Sequence, residues 1–195
     1  MTPEAVADRI RALPVPEGGR TLTALVGPPA SGKSTLSKRI VKALGAEGAL
    51  VTMDGWHLDD RLLGPMGLRS RKGAPETFDL GGLARTLAAV RAGGVVYLPV
   101  FDRAREIAIA GAAVVPAEAR HVVVEGNWLL LDEPGWRDLE WNLSVRLDVS
   151  EAVLRERLSE RWADRADGAA WIEANDLPNA RRMVERSRAA DVVIG

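Results

Sequence analysis

The 195-residue chain contains no cysteine, which excludes both a disulfide framework and a thiolate metal site. His57 and His121 are its only histidines, too few for a histidine-rich zinc site. Neither sign of charge is in excess. With a formal net charge of -1 and an isoelectric point near 6.2, the chain has no sequence-wide basic field to draw it onto nucleic acid or an anionic membrane. No segment reaches membrane-spanning length. The opening stretch MTPEAVADRIRALPVP carries Glu4, Asp8, Arg9 and Arg11 and lacks the apolar core of a secretory signal, so a cytoplasmic protein is expected. Lysine is scarce beside 22 arginines: there are four, three of them between Lys33 and Lys42, an imbalance that genome composition explains. A hydrophobic content of 47% suffices for the core of one domain spanning residues 1–195. Small molecules are the expected partners, and the oligomeric state is not legible.

The apolar pattern alternates between short runs and helical periodicities. Pro3 at a first helical position, with Val6, Ile10 and Leu13 on one face, predicts a helix ending before Pro14. Thr21 to Val26 is apolar, β-branched and bounded by Gly19 and Gly27, as a buried parallel strand would be. Similar runs occupy Leu50 to Met53, Val95 to Leu98, Val122 to Glu125, Leu143 to Val149 and Asp191 to Ile194. Helical patterns lie between them at Lys33 to Leu44, Gly82 to Arg91, Glu151 to about Arg165, and Asn179 to Arg188. The expectation is an α/β fold of three layers, a mainly parallel central sheet with helices on both faces. Two regions break the rhythm: Gly55 to Asp79, rich in glycine, proline and charge, and Phe101 to Pro116, with the look of a short hairpin. Both follow strands, at the carboxyl edge where open α/β sheets bind ligands.

Between the first strand and the next helix lies GPPASGKS, Gly27 to Ser34, which fits GxxxxGK[ST] in the strand–loop–helix setting that this motif requires. Backbone N–H groups and the positive end of the helix dipole converge there on an anion. The pattern designates Gly27, Pro28, Pro29, Ala30, Ser31, Gly32, Lys33, Ser34 and Thr35 as a phosphate cradle. Lys33 would reach the β- and γ-phosphates of ATP and Ser34 would ligate Mg²⁺. A glycine-rich turn without ligand is the bland alternative.

Two more strands end in an acid, Asp54 in LVTMDGWH and Glu125 in HVVVEGNW. In a parallel sheet both reach the edge that carries the cradle, where one acid would help hold Mg²⁺ and the other accept a proton from an attacking hydroxyl. Alternatively they only begin turns. Arg71 and Lys72 in GLRSRKGAPETFD, and Phe101 with Arg103 in PVFDRAREI, are either acceptor-binding or ordinary solvated surface. Trp56, His57, Asn127 and Trp128 follow the two acids, and the tryptophans could stack on an acceptor ring or pack in the core. In EAVLRERLSERWADR, Arg157, Arg161 and Arg165 recur every four residues. They form either a face salt-bridged by Glu156 and Glu160 or a row that closes over phosphates.

Together VTMDGWHLDD, LRSRKGAPETFD, YLPVFDR, VVVEGNWLLLD and NDLPNARR resemble the P-loop kinase superfamily of uridine kinase, phosphoribulokinase and bacterial pantothenate kinase. They are most similar to nucleoside kinase-like proteins labelled fructose transport system kinases. The resemblance implies a P-loop NTPase fold with a small helical lid at about 151–178. It places Asp54 at the catalytic base, Glu125 at a Walker-B-like acid and Arg161 at a lid-side arginine. It also sets RKGAPETFD beside the acceptor, while the chain is short for a full pantothenate pocket. The expected activity is transfer of the γ-phosphoryl group of ATP to a hydroxyl of a small metabolite, a sugar or nucleoside. The alternatives are a vitamin-precursor kinase, a non-catalytic nucleotide-binding module, and a regulatory GTPase. For the last, DEPG at Asp132 to Gly135 is misplaced and no NKxD motif exists.

Overall fold

The structure, a computed structural model, describes residues 1–195. Its centre is a five-stranded parallel sheet of β1 (Thr21–Val26), β2 (Gly48–Thr52), β5 (His121–Gly126), β6 (Leu143–Leu147) and β7 (Val192–Ile194), in the order β2-β5-β1-β6-β7. β1 lies in the middle and every one of its residues is buried. That is why its sequence reads as a continuous β-branched and apolar run rather than an alternation.

The two faces of the sheet bury different side chains because strand residues alternate. Leu25, Val123 and Val145 meet α1 (Pro3–Arg11) and α2 (Lys33–Leu44) in one cluster with Ile10, Ile40 and Leu44. Leu22, Ala24, Val26, Val122 and Val124 form the other face, packed on Leu83, Leu87 and Val90 of α4 (Leu80–Ala92) and on Trp56, Trp128 and Trp136. A third cluster stands apart from the sheet: Leu154 and Leu158 of α5 (Glu151–Arg161) with Ile172, Leu177 and Ala180. The last three lie on a helical run formed by α6 (Gly168–Trp171), a π turn at Ile172–Asp176 and α7 (Leu177–Arg186). Ala30 of the GPPASGKS loop packs against this third cluster. A one-turn helix, α3 (Asp60–Leu63), lies within the irregular segment after β2.

One expected strand of the main sheet is not there. The run at Val95 to Leu98 belongs to β3 (Val96–Asp102), which pairs antiparallel with β4 (Ile107–Val115) in a separate two-stranded sheet. Pro99 gives the physical reason. It has no N–H for a ladder, so it belongs on an edge or at an irregularity, and the β3–β4 register shifts between Leu98 and Val100. Tyr97 is 72% exposed, which a central parallel strand could not allow. The hairpin expected at Phe101 to Pro116 therefore begins earlier, and its tip is Arg103 to Glu106. Two helix limits also differ: α5 stops at Arg161, short of Arg165, and α7 ends at Arg186.

Candidate functional site

The parallel register brings three sequence-predicted positions to one sheet edge. Leu25 and Thr52 both pair with Glu125, so the end of β1, the end of β2 and Glu125 lie level, with Asp54 two residues beyond Thr52 in a 3₁₀ turn at Met53–Trp56. A cavity of about 1090 Å³ opens there, lined by Pro29 to Thr35, Asp54, His57, Lys72, Phe101, Arg103, Glu125, Asn127 and Arg161. Gly27 and Pro28 are not among the lining residues.

The loop between β1 and α2 is built to expose backbone. A Cβ at Gly27 would come within 2.7 Å of Ser31 Oγ and 3.1 Å of Leu147 Cβ, so only glycine lets the chain turn here. Ala30 and Gly32 both take left-handed conformations, at φ 60° and 96°. For alanine this costs about 1 kcal/mol or more, strain of the kind that collects at ligand sites. α2 begins with no side-chain cap, and Ser31 Oγ is buried without a hydrogen-bond partner. Uncapped N–H groups, an orphaned hydroxyl and a helix N-terminus make a donor set that fits a phosphate. Lys33 lies over the loop, its Nζ donating to Pro28 O at 2.9 Å. Burial pushes its pKa down to about 8, against the opposing pull of Glu125 and Asp54.

Ser34 Oγ lies 3.1 Å from both oxygens of Glu125, to which it donates. Burial raises the Glu125 pKa, the charge of Asp54 adds to this, and Lys33 opposes it. No group of three or more acidic, histidine or cysteine side chains could hold a metal ion. A divalent cation bound at Ser34 and Glu125 would complete its shell from phosphate oxygens and water, as Mg²⁺ does in phosphate sites.

Asp54 sits at the mouth, its side chain 31% exposed and ion-paired to Arg103 at the hairpin tip. Gly55 makes that meeting possible, because a Cβ at this residue would overlap the carbonyl of Pro99 in β3. Gly55→Ala is expected to push the hairpin off the 3₁₀ turn, lowering the melting temperature by several degrees and separating Arg103 from Asp54; thermal melts with turnover measurements check both.

His57 lies between Phe78 and Phe101, its ring tilted to both, with centroids 4.1 and 4.6 Å away. Its Nδ1 lies 2.8 Å from Asp54 O. A carbonyl only accepts, so Nδ1 carries the proton and Nε2 of the neutral ring is left as an acceptor. Burial, the largest influence, lowers the His57 pKa and favours that neutral form.

Lys72 bonds Asp60 at 2.8 Å and Glu106 O at 2.9 Å, with its ammonium 5.2 Å from the Phe101 ring centroid. Arg71 departs from expectation: it pairs with Glu76 at 2.8 Å outside the cavity. Trp56 and Trp128 also differ from the stacking role considered for them. Both are buried in the sheet core, and Trp128 Nε1 donates to Gly73 O at 2.9 Å. The aromatic walls come instead from Phe78, Phe101, Trp162 and Trp171.

The arginine row separates into three environments. The ion pairs of α5 join Arg155 to Glu151 and Glu173, and Glu151 to Arg181, and leave Glu156 and Glu160 out. Arg157 donates to the carbonyls of Ala30 and Ser31 at 3.3 Å each, and Arg161 faces the cavity with no carboxylate partner. Arg165 lies beyond the helix, 4.3 Å from the Trp171 centroid and 5.2 Å from that of Trp162, and pairs with Asp167. The salt-bridged face is thus absent at Arg157 and Arg161. Asp60, Arg69, Ser70 and Glu106 also line the cavity; the first three fall within the motifs VTMDGWHLDD and LRSRKGAPETFD without being singled out as site residues, and Glu106 carries no sequence signal.

No protein-family model matches this sequence. A curated relative does: the chain is 30% identical over 195 residues to a Schizosaccharomyces pombe protein named "Putative uridine kinase C227.14", covering 90% of this chain and 83% of that one. The chain belongs to the P-loop kinases of the uridine kinase, pantothenate kinase and phosphoribulokinase type. Among solved members of this kinase family is a "putative fructose transport system kinase" from Silicibacter sp. TM1040, 47% identical, with a TM-score of 0.94 over all of both chains. The pantothenate kinase of Parvibaculum lavamentivorans is 32% identical over 154 residues, which are 71% of this chain but 47% of that enzyme. The mainly parallel sheet flanked by helices is the fold of these P-loop kinases. No helix is long and apolar enough to cross a membrane.

Proposed function

We propose that the protein is an ATP-dependent kinase that transfers the γ-phosphoryl group to a hydroxyl of a small metabolite, a sugar or nucleoside, in the cytoplasm. The observation that carries this reading is the placement of Asp54, solvent-accessible, on the same edge as buried Lys33 and the Ser34–Glu125 pair. Residues 1–195 act as one kinase domain, with 151–178 as its lid. The loop from Gly27 to Thr35 holds the phosphates on its N–H groups, and Lys33 neutralises charge on the β- and γ-phosphates. Ser34 and Glu125 would hold Mg²⁺, which would supply charge neutralisation at the phosphates.

Asp54 orients the acceptor hydroxyl and takes its proton as the hydroxyl oxygen bonds to phosphorus and the bond to the ADP oxygen breaks. His57 Nε2 accepts a hydrogen bond from the acceptor, while Phe101 walls it and Lys72, Arg103 and Asn127 position it. Arg161 closes on the transferring group.

Arg161→Ala is expected to lower turnover about 10-fold or more while the melting temperature moves by no more than a few degrees, because an arginine without a carboxylate partner contributes little to stability. Kinetics equal to wild type would remove Arg161 from the site.

The kinase reading is tested by screening sugars, nucleosides and vitamin precursors for acceptor-stimulated ADP release. Stimulation by any one of them supports it, and the compound names the acceptor class. Nucleotide binding with no stimulation supports a non-catalytic module instead, and slow acceptor-free GTP hydrolysis supports a switch.

A further inference from the structure

Resting on that reading, we propose that the acceptor carries an anionic group, carboxylate or phosphate, beside the hydroxyl it offers, and that Arg103 leaves Asp54 to bind that group as the acceptor enters.

The argument is one of charge partners. At the acceptor end of the cavity most cations are already engaged: Lys72 with Asp60 and Glu106, and Arg69 with Asp60. At the phosphate end, Lys33, Arg157 and Arg161 lack a carboxylate bonded to them and suit the several negative charges of a nucleotide. Arg103 belongs to neither set. Its side chain is 55% exposed, it stands 5.7 Å from the Phe101 centroid, and its only carboxylate partner is Asp54.

Asp54 is the group that must turn to the acceptor hydroxyl. Arg103 holds its Oδ2 and thereby fixes the carboxylate toward the hairpin tip, so loosening of this pair frees both oxygens to turn toward the hydroxyl. A neutral acceptor gives Arg103 no negative group in exchange for Asp54. An anionic acceptor supplies a replacement, because a guanidinium recognises carboxylate and phosphate through the same two-pronged geometry. Arg103 is placed for the exchange. It lies at the hairpin tip, reached from β3 across the close Gly55–Pro99 approach, and beside Phe101 of the aromatic wall. The pair would then read the acceptor's charge and release the base in one movement.

The test compares acceptors that differ in charge. ADP release is measured with D-glycerate against glycerol, pantothenate against panthenol, ribose 5-phosphate against ribose, and uridine monophosphate against uridine. In at least one pair kcat/KM should favour the acidic member by about 100-fold. Whether that pair is a carboxylate or a phosphate pair distinguishes the two anions. Arg103→Gln should collapse the ratio to about 3-fold or less, chiefly through the KM of the acidic member, and Arg103→Lys should recover part of it. Melting curves confirm that these exposed-tip variants fold.

Neutral members used as well as acidic ones overturn the inference and leave the kinase reading intact. Arg103→Gln slowing both members of a pair equally also overturns it, and points to Arg103 acting on the transferring phosphate. No stimulation by any compound counts against the kinase reading and this inference together.

Discussion

Lys33→Ala is expected to reduce turnover by about 100-fold or more while the protein still folds. The ammonium curls over its own loop to Pro28 O, and burial holds its pKa near 8, below the ordinary lysine value of 10.5. The charge is thus carried at a cost to the fold, as the proposed contact with phosphate would require. The sign of the linkage follows. The unfolded chain binds this proton more tightly than the fold does, so the penalty is full below about pH 8. It fades as the pH rises from about 8 toward 10.5, where the lysine is neutral in both states. Between those limits wild type should therefore gain melting temperature relative to Lys33→Ala. A variant of unchanged turnover would remove Lys33 from the cradle, and parallel melting curves for the two proteins across that range would deny that its charge is disfavoured.

The parts of this site that could be read from the sequence are those whose chemistry is local or set by strand direction. GPPASGKS carries its own turn, its own left-handed positions and its own helix start, so eight consecutive letters specify the loop conformation. Asp54 and Glu125 were legible because parallel strands point the same way, and any acid just past a strand end reaches the same edge. What failed depends on contacts distant in the chain. Trp56 follows Asp54 more closely than His57 does, yet the 3₁₀ turn rotates it into the core and leaves His57 facing the cavity. The β3 run looks like its parallel neighbours until the missing N–H of Pro99 is weighed, and only then does the antiparallel hairpin follow. The pairing of Arg103 with Asp54 spans 49 residues and depends on Gly55 having no side chain, a steric fact that motif spacing does not record. Arg157 and Arg161 share a helix face as the four-residue spacing requires, but whether acids would neutralise them depended on the direction of Glu156 and Glu160.

Substitution of the two strand-end acids should produce phenotypes that differ in kind. Asn at position 54 keeps the size and hydrogen-bonding shape of the carboxylate but takes no proton, so Asp54→Asn is expected to lower kcat by about 10² to 10⁴ with ATP affinity nearly preserved. The geometry supports this direction, since Asp54 is the more exposed of the two acids and it is Glu125, not Asp54, that accepts from the Ser34 hydroxyl. Glu125 is 8% exposed, holds Ser34 Oγ and sits in the field of Lys33, as an acid on the metal side would. Glu125→Gln removes a negative charge there and should raise the Mg²⁺ concentration for half-maximal rate, with partial rescue by excess Mg²⁺. Titration of Mg²⁺ against rate for both variants, at saturating ATP and acceptor, separates the roles. A shifted metal requirement in Asp54→Asn and not in Glu125→Gln would reverse the two assignments, because only the acid that shares the cation can change its apparent affinity. Full activity in both variants would mean that neither carboxylate takes part in the chemistry, and the Ser34–Glu125 contact would then serve only to hold the start of α2 against the end of β5.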